Sequence, residues 1–177
     1  GHGVRTGENF NPALGFVRRR GGESTGLGFT YYFEQPENEL LEDISVGAEY
    51  DRYEWLDGDL DSDELEINLI GIRTLAGDFL GLEVEFERDI LQEPFEIIDE
   101  VIIPSSEYKG VDFELEFRSS SNRPVFGEFE IAYGHFYGGK ATNAEIDLSW
   151  RPSKYFQLDF EIASTMARLP QDNFEVL

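Results

Sequence analysis

The segment Asp57-Gly58-Asp59-Leu60-Asp61-Ser62-Asp63-Glu64 places a carboxylate at every second position, a spacing that could ring a hard cation such as calcium with oxygen ligands. Asp57, Asp59, Asp61 and Asp63 are therefore the candidate metal ligands, and calcium the one cofactor the residues suggest. The segment is not an EF-hand. Counted from Asp57, the sixth position is Ser62, where the sharp turn needs glycine, and the twelfth is Asn68, where a bidentate glutamate is needed. The plainer reading is a solvated hairpin turn in which Asp57-Gly58 supplies the positive φ.

Other chemistry is sparse. His2 and His135 are the only histidines, and there is no cysteine. His135 lies between Gly134 and Phe136 with no serine, cysteine or second histidine nearby in sequence to form a relay. Paired carboxylates could serve glycoside hydrolysis, but among 37 acids a pair carries no information. The chain reads as non-catalytic. Arg18, Arg19 and Arg20 form the one basic run, suited to pairing with the acids of the sheet, to lying near lipid headgroups, or to docking an acidic partner.

The 177 residues fit one domain, and 37 acids against 14 bases give a formal charge of −23. Such a field repels nucleic acid and attracts cations and basic surfaces. Lysine is represented only by Lys109, Lys140 and Lys154, a balance also found in proteins from concentrated salt, where carboxylates hold hydration. No apolar run is long enough for a transmembrane helix. The opening Gly1-His2-Gly3 reads as a scar or a processed end.

What must position these groups is a set of strands. Leu80 to Glu87 alternates large apolar side chains with carboxylates, and the pattern returns over Val111 to Phe117, Glu128 to Ile131, Glu145 to Leu148 and Phe156 to Ile162. Successive side chains of a strand point to opposite faces, so each segment has one greasy and one acidic face. Three further strands are expected before Leu80, from Leu27 to Phe33, from about Ile44 to Trp55 and from Leu65 to Leu69; the four later alternating segments fall in strands at about 108–119, 125–137, 141–151 and 154–165, with the tail at Phe174 beginning another. The predicted fold is all-β, an antiparallel meander of about eight strands forming a closed barrel or strongly curled sheet. Residues 1–24 are expected to be a loop or arm. Residues 91–107, bracketed by Pro94 and Pro104, are expected to be a long irregular insertion or hairpin folded onto the sheet.

Several segments occur together in a suggestive order: Asn9-Phe10-Asn11-Pro12-Ala13-Leu14-Gly15-Phe16-Val17-Arg18-Arg19, Glu93-Pro94-Phe95-Glu96-Ile97 with Ile103-Pro104 and Tyr108, Phe136-Tyr137-Gly138-Gly139, Trp150-Arg151-Pro152-Ser153, and Leu169-Pro170. This series resembles the C-terminal β-barrel region of bacterial outer-membrane proteins whose N-terminal half is a carbohydrate-binding, family-9-like domain. The resemblance spans nearly the whole chain, although the carbohydrate-binding half has no counterpart in it. It implies a barrel-like meander in the cell envelope, periplasm or outer membrane of a Gram-negative-type bacterium, near the membrane, and no activity that attaches to particular residues.

The choice left by these observations is which face is wet. A closed barrel of eight strands is filled by side chains, so its acids must point outward, leaving Phe86, Phe113, Phe117, Phe129 and Phe160 as a closed core. That expectation makes the protein a soluble, non-catalytic envelope domain, a structural or partner-binding module of a membrane-associated assembly. The alternative is an outer-membrane barrel, whole or partial, whose acids line a cation-preferring pore and whose apolar face meets lipid. Apolar faces of four or five residues per strand barely suffice to span a bilayer.

Overall fold

The computed structural model describes residues 1–6, 21–98, 101–170 and 173–176. Ten strands form one antiparallel sheet in meander order: β1 (His2–Thr6), β2 (Gly22–Glu34), β3 (Leu41–Trp55), β4 (Leu60–Thr74), β5 (Phe79–Ile90), β8 (Glu107–Arg118), β9 (Val125–Phe136), β10 (Gly139–Ser153), β11 (Phe156–Arg168) and β12 (Asn173–Val176). The segment between β5 and β8 carries a separate two-stranded hairpin of β6 (Phe95–Ile98) and β7 (Val101–Ile103). The all-β meander and the hairpin within 91–107 match the sequence expectation. The strand His2–Thr6 does not, because it lies in the stretch expected to be a loop, and the main sheet has ten strands rather than about eight.

Length sets these strands apart. The eight from β2 to β5 and β8 to β11 run 12 to 15 residues each, against a usual five or six in globular proteins. Among the described residues β1 pairs only with β2 and β12 only with β11, so the sheet has two edges. The strands are also staggered. The cross-strand row that starts at Phe29, seven residues from the Gly22 end of β2, reaches Met166, two residues from the Arg168 end of β11.

The turns divide between two rims. One rim carries the connections 35–40, 75–78, 119–124 and 154–155, of which the first three are stitched to one another and the third to the end of β10. Leu75 N donates to Leu40 O at 2.9 Å, joining the first two, and Ser120 N donates to Asp78 Oδ1 at 2.9 Å, joining the second and third. Arg123 clamps both Asp78 oxygens, and Arg151 reaches the Ser121 carbonyl. The Arg123 guanidinium and the Ser120 N–H hold the Asp78 carboxyl well below the usual carboxylate range.

The opposite rim carries residues 56–59, the β6–β7 hairpin and the β9–β10 turn. Here lies the one packed cluster of buried apolar residues among those described: Val101, Ile103 and Leu169, joined by Phe95, Tyr108, Phe136 and Tyr137. The β9–β10 turn consists of Tyr137 and Gly138, with φ of 44° and 81°, a tight hairpin with both central residues left-handed. Such a turn ordinarily takes Asn-Gly, and a tyrosine there is strained. Three edge-on ring contacts hold it, to Phe95, Tyr108 and Phe136 at centroid separations of 5.4, 5.3 and 5.0 Å.

Candidate functional site

Register decides what the alternation produces. Because directly opposed residues share a face, Glu49, Glu66, Glu85 and Asp112 form one unbroken row across β3, β4, β5 and β8. Asp51, Glu64 and Glu87 form the next row. Asn68, Glu83 and Glu114 form another, and Glu116, Glu130 and Glu145 continue the pattern on β8, β9 and β10. Like charges directly opposite one another destabilise a sheet, so nothing in strand pairing itself favours this arrangement. A cleft of about 370 Å³ lies over these rows, lined by Glu66, Glu85, Asp112, Glu114, Glu130 and Asn143 among others. Lining residues from five successive strands make the acidic side the hollowed one.

Arginine side chains join this face at the stitched rim. Arg118 donates to Glu128 Oε1 at 2.9 Å and also engages Glu116, while Arg73 Nε approaches Asp43 Oδ2 at 3.5 Å. The centre of the acidic face has no such partners: in the row from Glu49 to Asp112 no base stands opposite an acid.

The other face is apolar and turned outward. On β8, Asp112, Glu114 and Glu116 are half-buried, whereas Val111, Phe113, Leu115 and Phe117 are exposed by 39, 53, 38 and 43 %. Leu27, Phe29, Tyr31 and Phe33 on β2 and Leu158, Phe160 and Ile162 on β11 are exposed as well. The expected core of Phe86, Phe113, Phe117 and Phe160 is therefore surface, and the carboxylates expected outside line the cleft. The premise that failed was closure around eight strands, since an open, broader sheet leaves room for water beside the acids.

The sequence-derived candidates fall in different places. Asp57 and Asp59 are exposed at the β3–β4 turn, where Asp59 N donates to Asp57 Oδ1 at 3.1 Å. Asp61 is buried, and Asp63 accepts from Arg88 Nε at 3.0 Å and from the Tyr50 hydroxyl at 3.2 Å. Among the described residues, triplets of ligand atoms within 4.8 Å of one another occur at His2, Glu49 and Asp51 and at Glu145, Asp147 and Glu161, and neither includes these four aspartates. Arg18, Arg19 and Arg20 lie outside the described residues. His135 lines the acidic cleft, where its backbone N–H donates to Asp112 and its Nε2 accepts from Gly138 N at 3.0 Å.

Glu49, Asp51, Glu64 and Glu66 were not singled out from sequence, although their period of two is present in it. Ala48 weakens the apolar half of the signal on β3 and Gly47 the acidic half. No protein-family model, curated protein or solved structure matches the chain.

Proposed function

We propose that this chain is barrel wall: a non-catalytic, membrane-spanning antiparallel sheet of the outer-membrane type, whose acidic face lines a cation-preferring aqueous lumen and whose apolar face meets lipid. The observation that carries the reading is the burial pattern of β8, in which the carboxylates are the sheltered side chains and the phenylalanines the exposed ones. A water-soluble protein of this size rarely exposes a contiguous apolar surface of more than a few hundred Å², yet here the exposed band runs from Phe29 on β2 to Phe160 on β11.

Strand length supports it. A tilted strand needs about 9–11 residues to cross a bilayer, and the eight long strands each have 12 or more. Aromatic residues flank the band as interfacial girdles do: Tyr50 and Tyr133 toward the hairpin rim, Trp150, Tyr155 and Phe156 toward the stitched rim. On β9, Tyr133 stands eight residues from Val125, about 27 Å along a strand at ~3.4 Å per residue. The resemblance of the sequence to outer-membrane barrel regions points the same way.

Lipid tolerates no open sheet edge, so the reading requires the edges at β1 and β12 to be joined in a closed ring. The stagger from Phe29 to Met166 is of the kind ring closure needs. The acidic rows add a further demand, because a barrel of eight strands is filled by side chains whereas larger ones hold water. The sheet's ten strands already exceed that number.

Reconstitution into planar bilayers tests the proposal. Single-channel conductance with a reversal potential toward potassium in a potassium chloride gradient is the expected result. Absence of conductance, or an anion-directed potential, would count against it.

A further inference from the structure

The apolar face ends at the hairpin rim on a charged row. Arg52, Asp63, Arg88 and Lys109 stand opposite one another on β3, β4, β5 and β8, one step beyond the row of Tyr50, Leu65, Phe86 and Val111. Between these rows and β10 lies a groove of about 690 Å³, with Phe86, Val111 and Phe113 in its floor and Arg88, Lys109 and Lys140 at its border. Two of the chain's three lysines meet there, in a protein with 37 acids.

These bases are not equally occupied. Arg88 is held by Asp63, and Lys109 Nζ lies 2.8 Å from Glu107 Oε1 with its side chain 64 % exposed. Lys140 Nζ lies 3.1 Å from the Tyr133 hydroxyl and 5.3 Å from the ring centroid, and among the described residues it has no carboxylate partner. Its ammonium retains donors directed to whatever borders the band.

We propose that the groove is a binding site for an anionic phospholipid, with the headgroup phosphate at Lys140, Lys109 and Arg88 and an acyl chain along Phe86, Val111 and Phe113. The inference rests on the apolar face meeting lipid. Charge complementarity selects the headgroup: the groove is bordered by three bases, of which Arg88 is paired with Asp63 in the same lining and Lys109 with Glu107, so Lys140 brings the positive charge left over, a local exception in a chain with 37 acids. The apolar floor selects a lipid over a soluble phosphate, and its continuity with the exposed band places the site at the height of the interface, where basic side chains meet phosphates.

The test combines flotation with native mass spectrometry. The protein is floated on phosphatidylcholine vesicles with and without phosphatidylglycerol, then released into detergent and weighed with its retained lipids. The expected result is flotation on both vesicle types and retention of phosphatidylglycerol over phosphatidylcholine. Each of Lys109→Gln and Lys140→Gln is expected to lower that retention about fivefold while leaving flotation on phosphatidylcholine unchanged. Equal retention of the two lipids, or a phosphatidylglycerol preference that survives the double variant, overturns the site alone. Failure to float on either vesicle removes the membrane reading and the site with it.

Discussion

Glu85 stands directly opposite Asp112 across the β5–β8 ladder, and on its other side directly opposite Glu66. Three carboxylates directly opposed on adjacent strands repel one another. The row is therefore a cost that strand pairing does not explain, and the aqueous, cation-preferring lumen proposed above would account for it. Replacing the central member should relieve it. Glu85→Gln is expected to stabilise the folded protein by about 0.2–1 kcal/mol at low ionic strength. The gain should shrink in ~1 M salt, where screening falls to about 3 Å. Thermal unfolding of both forms across a salt series measures this, and the same variant should show a weaker potassium preference in bilayers. Destabilisation by Glu85→Gln at low salt would mean that the row is held by bound cations or hydrogen bonds.

The stitched rim gives a pH dependence of definite sign. Asp78 accepts from Ser120 N and Thr74 Oγ1 and is clamped by Arg123, so its carboxyl is held well below its ordinary value in the folded protein. A depressed folded value means that the stabilisation is fully present above the unfolded value near ~4 and is lost as pH falls toward the folded one. Asp78→Asn should thus be less stable than the parent at neutral pH, with the gap narrowing below about pH 4. Denaturant unfolding at a series of pH values reads this directly. A gap that widens on acidification would contradict the assignment.

The hairpin rim predicts an unusual ranking of substitutions. Tyr137 combines a left-handed backbone with three edge-on aromatic partners. Tyr137→Ala loses the rings and keeps the backbone penalty, while Tyr137→Gly loses the rings and removes it. The glycine variant should therefore be the more stable of the two by about 1 kcal/mol, the reverse of the order expected inside a strand. Both should fall below the parent. Equal stability of the two variants would show that the turn relaxes once the ring is gone.

The long strands were legible because one face is apolar and the other acidic, and a period of two survives wherever Glu83, Glu85 and Glu87 interleave with Leu82, Val84 and Phe86. Which surroundings belong to which face was not legible. Alternation is unchanged when the faces are exchanged, so the answer depended on strand number and closure, which are long-range properties. The opposition of Glu85 to Asp112 is likewise a matter of register, absent from either strand alone. His2–Thr6 escaped notice because His2-Gly3-Val4-Arg5-Thr6 is short and has little alternation. The position of the β9–β10 turn was legible from Gly138-Gly139, but the left-handed residue beside Gly138 is Tyr137, a type that does not signal such a conformation.

The exchange of faces is itself open to a paired test on neighbouring residues. Leu115 lies between Leu82 and Ile131 in the middle of the exposed band, and Glu114 beside it points into the cleft opposite Glu83. In a membrane barrel, Leu115→Arg places a charge against the lipid core at a cost of about 2–4 kcal/mol. Glu114→Arg places the same charge among carboxylates, where it gains partners. The first variant should fold and insert poorly into vesicles, and the second should insert as well as the parent. In a soluble module with a covered apolar face the comparison takes another form, because insertion would be absent in all three proteins. Flotation followed by protease protection of the parent and both variants separates these outcomes, and equal insertion of the two arginine variants would remove the assignment of the Leu115 face to lipid.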